Sequence, residues 1–276
     1  MAELGQLNRL TATRRGKNGL FLDGGEFGEV LLPRRYLDDS MQVGERLEVF
    51  LYRDSEDRVV ATTDTPRARI GECAYLKVVS VSKIGAFLDW GLPKDLFVPY
   101  SEQQKPMRKG YSYTVYLYVD AASQRIAASS KLERHLSADA GVFRSRQPVS
   151  LQIYGRSDLG FKAVVDGTHL GQLYDSETFR RLHYGERLDG FIKQIRPDGK
   201  IDLVLQLPSR ETRDRLEAAI IEHLQQNDGI STLTDASPPD EIYRAFGVSK
   251  ASYKKALGRL YRQRKLVIER HKITLA

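Results

Sequence analysis

The chain has 276 residues, is 41% hydrophobic and carries a net charge of +7. Its apolar content is enough for packed cores, and no run of about 18 apolar residues occurs, so no membrane-spanning helix is expected. The single cysteine, Cys73, excludes an intramolecular disulfide and fits a reducing, cytoplasmic setting.

The stretch from Met1 to Asn8 lacks a basic segment followed by an apolar one, so no signal peptide is expected. Charge is uneven along the chain. Residues 1–66 are net −3, 67–136 net +5, 137–210 net +2 and 211–276 net +3. A basic excess favours a polyanionic partner, and its distribution points to 67–136 and part of the C-terminal segment as the contacts.

The first elements alternate in the manner of strands. A run over 7–13 and a basic turn, Arg14-Arg15-Gly16-Lys17-Asn18, lead to Gly19-Leu20-Phe21-Leu22. Asp23-Gly24-Gly25 is a turn signal. The run 28–33 ends at Pro33, which cannot donate to a ladder. Runs over 46–52 and 58–63 complete five strands. The order recurs over 74–81, 85–90, 95–99, 112–119 and 125–129, and again over 149–154, 161–165, 170–174, 187–195 and 200–205. Glycines mark each copy: Gly19 and Gly44, Gly85 and Gly110, and Gly160 and Gly185 are all 25 apart. A strand bending sharply around a small barrel needs a residue without Cβ at the corner. The last strand of each copy is expected to open on a basic residue, Arg58, Arg125 or Lys200. Alternation places Ala86 and Leu88 inward and Phe87 outward.

The final 66 residues change character. Leu216, Ile220 and Leu224 give an amphipathic helix over 213–226. Pro238-Pro239-Asp240-Glu241 starts a second helix that ends at Gly247. Ser249 caps a third helix to about residue 263, with Tyr253, Ala256, Leu257, Leu260 and Tyr261 on its buried side. Runs over 266–270 and 273–275 make a hairpin. The expected fold is therefore mainly β with a C-terminal α+β domain. Three tandem five-stranded OB-type barrels over 1–66, 67–136 and 137–210 precede a winged helix over 211–276.

Gly85-Ala86-Phe87-Leu88-Asp89 followed by Leu96-Phe97-Val98-Pro99 resembles the RNA-binding barrel of ribosomal protein S-one. Three such barrels and a winged helix resemble the bacterial conserved virulence factor B family. Residues 242–250 and 255–261 are also similar to that family's C-terminal segment. The resemblance implies a cytoplasmic, non-catalytic RNA-binding regulator of gene expression. It also implies a histidine on the RNA face of the third strand, where this chain has Pro33 and Pro99. The second-strand aromatic is kept as Phe21 and Phe87 and becomes Lys162, beside Phe161, in the third copy.

RNA binding needs cations against phosphates and flat side chains under unpaired bases. The second copy offers Phe87 as the platform, Lys77, Lys83, Arg125 and Lys131 as phosphate contacts, and Tyr100, Tyr116 and Tyr118 as further aromatics. The third copy offers Arg156, Phe161 and Lys162. In the winged helix, Lys250, Lys254, Lys255, Arg259 and Arg262 form a basic series suited to nucleic acid. No metal site or cofactor is expected: His135, His169, His183, His223 and His271 lack metal-ligand spacing, and no G-x-x-x-x-G-K-[ST] loop occurs. Asp38-Asp39 and Glu56-Asp57 read as turn acids. The expected partner is single-stranded RNA. The alternatives are DNA held by the winged helix, or docking on RNA polymerase or the ribosome.

Overall fold

The computed structural model describes residues 1–38, 40–137, 139–178, 181–207 and 210–276. It divides into two units, Met1–His135 and Leu136–Ala276. Asp39, read above as a turn acid, lies outside the described residues.

The first unit holds two closed barrels. Barrel 1 consists of β1 (Leu7–Gly16), β2 (Gly19–Asp23), β3 (Glu29–Pro33), β4 (Arg46–Arg53) and β5 (Val59–Thr62). Barrel 2 consists of β6 (Cys73–Val81), β7 (Gly85–Asp89), β8 (Leu96–Pro99), β9 (Ser112–Val119) and β10 (Ile126–Ser129). The second unit begins with barrel 3: β11 (Pro148–Ser157), β12 (Gly160–Val165), β13 (His169–Tyr174), β14 (Arg187–Ile195) and β15 (Ile201–Val204). Its winged helix has α1 (Arg210–Gln226), β16 (Ile230–Ser231), α2 (Pro239–Phe246), α3 (Lys250–Arg262), β17 (Leu266–Ile268) and β18 (Ile273–Leu275). Every barrel closes in the order first, second, third, fifth, fourth, with the third and fifth strands parallel.

The repeated glycine solves one steric problem three times. A Cβ on Gly19, Gly85 or Gly160 would fall on the carbonyl oxygen of Leu32, Val98 or Leu173 on the next strand. Only a residue without a side chain lets the two backbones approach so closely. The first strand of each barrel also carries a bulge at the same place, at Thr13, Val79 and Tyr154. An extra residue there bends the strand around the barrel.

Several boundaries differ from the sequence expectation. β1 runs on through Arg14–Gly16, which read as a turn, because those residues pair with Gly19–Phe21. The last strands open at Val59, Ile126 and Ile201, so Arg58, Arg125 and Lys200 stand just before them. β16 adds a third strand to the wing sheet. In α3, Tyr253, Ala256, Leu257 and Leu260 pack on Leu216, Ile220 and Leu224 of α1. Tyr261, expected on that side, is 54% exposed, since one further residue turns it about 100° around the helix. Ser249 caps α3, its Oγ accepting from the Ser252 amide at 3.2 Å.

Barrels 1 and 2 share apolar packing. Val49 and Leu51 of β4 enter the core of barrel 1, while Phe50 and Tyr52 point the opposite way into the cluster around Trp90 of barrel 2. The Phe50 and Trp90 rings meet edge to face, centroids 5.8 Å apart. Burying a ring the size of Phe50 is worth about 1.5–3 kcal/mol in transfer terms, and the larger Trp90 indole more. Hydrogen bonds fix the register: the Gln6 side chain donates through Nε2 to Ile70 O at 3.0 Å, and the Ile70 amide to Gly5 O at 3.2 Å.

Two stability outcomes follow. Gly85→Ala meets both a positive φ and the Val98 carbonyl, whereas Gly110 has a positive φ and open space. Gly110→Ala should cost about 1 kcal/mol in denaturant unfolding, and Gly85→Ala clearly more. Phe50→Ala should cost about 3–5 kcal/mol and separate the melting of barrels 1 and 2, seen by calorimetry as two transitions in place of one.

Candidate nucleic-acid interface

The outward position on the second strand differs among the three barrels. In barrel 1, Phe21 lies under the Arg14 guanidinium, 3.6 Å from the ring centroid, and Arg14 is held by Glu29 at 2.7 Å. In barrel 3 the position belongs to Lys162, and Phe161 is turned into the core at 7% exposure. Phe161 therefore cannot serve as a stacking platform as the sequence suggested. The inward position of β12 requires an apolar residue, as Leu20 and Ala86 supply in the other barrels. Arg156 spans the outside, 4.7 Å above Phe161 and 3.0 Å from Asp175.

In barrel 2, the residue opposite Phe87 is Ser80, where barrel 1 has Arg14. Among the described residues, no guanidinium lies over the Phe87 ring. It is half-buried and pairs across β7–β8 with Phe97, their centroids 5.2 Å apart. Phe97 belongs to the Leu96–Pro99 motif and is a site residue that sequence reasoning missed. Its alternation, outward between buried Leu96 and Val98, is the signal that could have found it.

The Phe87–Phe97 pair lines a groove of about 870 Å³ within the first unit, walled by both barrels. Arg125 and Lys94 line it from barrel 2, and Arg35 and Arg53 from barrel 1. Three of these four cations brace the barrels. Arg53 Nε donates to Gln124 O at 3.2 Å and Lys94 Nζ to Asp54 O at 2.6 Å, while Arg125 is ion-paired with Asp57. Arg125, expected as a phosphate contact, takes part in this tie between the barrels. Asp57, expected as a turn acid, is its anchor. The Arg125 guanidinium, helped by Lys94, holds the Asp57 carboxyl below the usual aspartate range.

The remaining barrel 2 candidates are dispersed. Lys77 is exposed on β6, opposite Asp89 of β7. Lys83 is exposed in the β6–β7 turn. Tyr100 is 46% exposed beside that turn, its hydroxyl donating to Ser82 O at 2.8 Å. Tyr116 and Tyr118 both stack on His135, centroids 4.9 Å away, so neither offers a free ring face on that side. Burial, then Glu102 and Asp120, pushes the Tyr118 phenol up to about 12. Lys131 is half-buried after β10.

The second unit has its own basic groove of about 570 Å³ between barrel 3 and the winged helix, lined by Arg146, Lys193, Lys255 and Arg259 among others. Arg259 is ion-paired with Glu217 of α1, and Lys193 with Glu177 at 2.7 Å. Arg259, part of the basic series of α3, turns toward α1 because it lies one turn from buried Ala256. Lys250 Nζ donates to Ala236 O at 3.1 Å, and Lys254 meets Asp235 at 3.3 Å. Lys255 and Arg262 are exposed. The histidines at 169 and 223 serve packing: buried His169 bonds Asp139 O at 2.9 Å, and His223 meets Ser231 Oγ at 3.1 Å.

OB-type barrels with an open aromatic pair beside cations, joined to a winged helix, define a protein assembled from nucleic-acid-binding domains. The S1 domain model matches residues 4–64 and 70–130, and the CvfB-like winged helix domain model matches 218–275. The chain belongs to the conserved virulence factor B family. It is 28% identical to the uncharacterized protein YitL of Bacillus subtilis, over 96% of this chain and 91% of that protein. It is 26% identical to conserved virulence factor B of Staphylococcus aureus, over 86% and 82% respectively. A crystal structure from Streptococcus pneumoniae, described as a multidomain protein with nucleic acid binding domains, aligns over 99% of this chain and 98% of its own, at 24% identity and a TM-score of 0.42.

The Asp57 tie has a definite acid response. Its depressed folded value means the tie stabilises above the ordinary aspartate range, about pH 4, and is lost as pH falls through that lower value. Asp57→Asn should therefore melt below wild type at neutral pH, with the gap closing below about pH 4 and also in about 1 M salt.

Proposed function

We propose that this protein binds single-stranded RNA without catalysis and acts as a post-transcriptional or translational regulator of gene expression. The observation that carries the reading is the Phe87–Phe97 pair, the second-strand aromatic left uncovered on a barrel that matches the S1 domain. Unpaired bases stack on such rings in a sequence-tolerant way, and nearby cations meet the phosphates. Single strands are favoured because a base within a duplex has no free face to offer. The exposed cations Lys77, Lys83, Lys255 and Arg262 add sequence-independent attraction.

Duplex DNA reading through α3 is the less supported alternative. α3 packs against the Asp175–Glu177 turn of barrel 3, and Arg259 is committed to Glu217. Those contacts engage part of the helix that would enter a major groove.

Fluorescence anisotropy of the full chain with an unstructured oligoribonucleotide at fixed salt tests the proposal. Phe87→Ala should weaken binding by about 1–3 kcal/mol, roughly five- to 150-fold, while Phe21→Ala should leave it unchanged. Wild-type affinity in both Phe87→Ala and Phe97→Ala would remove the basis for the assigned face.

A further inference from the structure

Barrel 1 is acidic overall, and its own aromatic face is closed by Arg14 and Glu29. Taken alone it looks like a spacer. The groove beside Phe87 and Phe97 is nonetheless walled by barrel 1 on one side, through Arg35, Tyr52 and Arg53. The two walls are held at a set distance by the Phe50–Trp90 contact and by the Arg53, Lys94 and Arg125 ties. The groove is therefore preformed, which lowers the ordering cost of binding.

Its charges are unequal in availability. Arg53, Lys94 and Arg125 are spent on barrel 2 carbonyls, barrel 1 carbonyls or Asp57. Arg35 is exposed, stacks 4.7 Å over the Tyr36 ring, interacts with the Tyr52 phenol and has no carboxylate partner among the described residues. Among the acids lining the groove, Asp54 is ion-paired with Arg58 at 2.7 Å and Asp120 is capped by Ser123 at 2.6 Å. Asp95 is the lining acid with no hydrogen-bond or ion-pair partner among the described residues; a carboxylate there can accept from the amino group of a base.

We infer that the groove is a composite single-strand RNA site, with bases on the Phe87–Phe97 wall of barrel 2 and a backbone phosphate on Arg35 of barrel 1. The inference rests on the RNA-binding reading above and extends it to a domain that carries no open platform of its own. Aromatic stacking on one wall and a guanidinium without a carboxylate partner on the other are the two things a single strand asks for. Barrel 1 then contributes affinity through one residue of the short helical turn Arg34–Tyr36.

Neighbouring Arg34 supplies the control. It is likewise exposed and charged, and is not among the residues lining the groove. Full-length Arg35→Glu, Arg35→Gln, Arg34→Glu and Phe87→Ala are compared by anisotropy on one unstructured oligoribonucleotide across a salt series, with melting temperatures checked alongside. Arg35→Glu should weaken binding about tenfold, Arg35→Gln by less, and both should reduce the slope of log affinity against log salt by about 0.7–1. Arg34→Glu should change affinity by less than about twofold. Equal losses in Arg34→Glu and Arg35→Glu would reduce Arg35 to background charge and overturn the composite site. Wild-type binding in Arg35→Glu and Arg35→Gln with loss in Phe87→Ala overturns the composite site alone. Wild-type binding in all of them overturns the RNA face as well.

Discussion

The edge-to-face contact of Phe50 with Trp90 is the constraint on which the first unit depends. Small barrels bury little apolar surface each, and a chain of isolated ones would be marginal. β4 answers this by being covered on both faces. Val49 and Leu51 fill barrel 1, while Phe50 and Tyr52 close against barrel 2. The ion pairs around Asp57 cannot do the same work. Asp57 and Arg125 are 40% and 57% exposed, and solvent screens pairs of that kind. They set angle and register once the rings have supplied the energy. The geometry of the candidate groove is thus a consequence of core packing, with the polar ties as its adjustment.

Repetition and divergence act on different residues. The backbone solution is copied without change: the glycine corner, the bulge in the first strand and the strand order occur in all three barrels. The outward residue of the second strand is free of that constraint and has gone three ways. One aromatic is capped by an arginine, one is half-buried beside a second phenylalanine, and one position is a lysine. A similar division holds at the end of the third strand. Gly19 faces Pro33 and Gly85 faces Pro99, whereas Gly160 faces Tyr174, whose hydroxyl donates to buried Asp202 at 3.2 Å. Fold and chemistry are encoded at alternate positions of the same strands, so one can be kept while the other changes.

Local signals made the fold readable in advance. Proline strand ends, the Ser249 cap and the four-residue spacing of α1 act within a few residues, and the constant glycine spacing exposes the repeat. The site was less readable because its decisive features lie between barrels. Arg125 and Phe161 were both plausible contacts by residue type. One is tied to Asp57, 68 residues away, and the other belongs to the core because Gly160 sets the phase of β12 one residue earlier than its aromatic suggests. The doubly buried β4 did leave a trace. Val49-Phe50-Leu51-Tyr52 is a continuous apolar run where a barrel exposed on its outer face would alternate. Nothing in that run, however, names the partner surface.

The same reasoning separates the roles of charge in the two units. In a nucleic-acid-binding protein it is tempting to count every cation toward phosphate. Here many of the basic groups near the grooves already have protein partners: Arg14, Arg53, Arg58, Lys94, Arg125, Arg156, Lys193 and Arg259. Their net effect at a distance is reduced by the carboxylates or carbonyls they hold, and their first effect is to fix surfaces in place. A long-range positive field then comes from the exposed lysines and arginines left over, while recognition at close range falls to rings that the braced scaffold holds open. A cation that braces a groove and a cation that meets the ligand are alike in sequence; their partners in the folded chain make the difference.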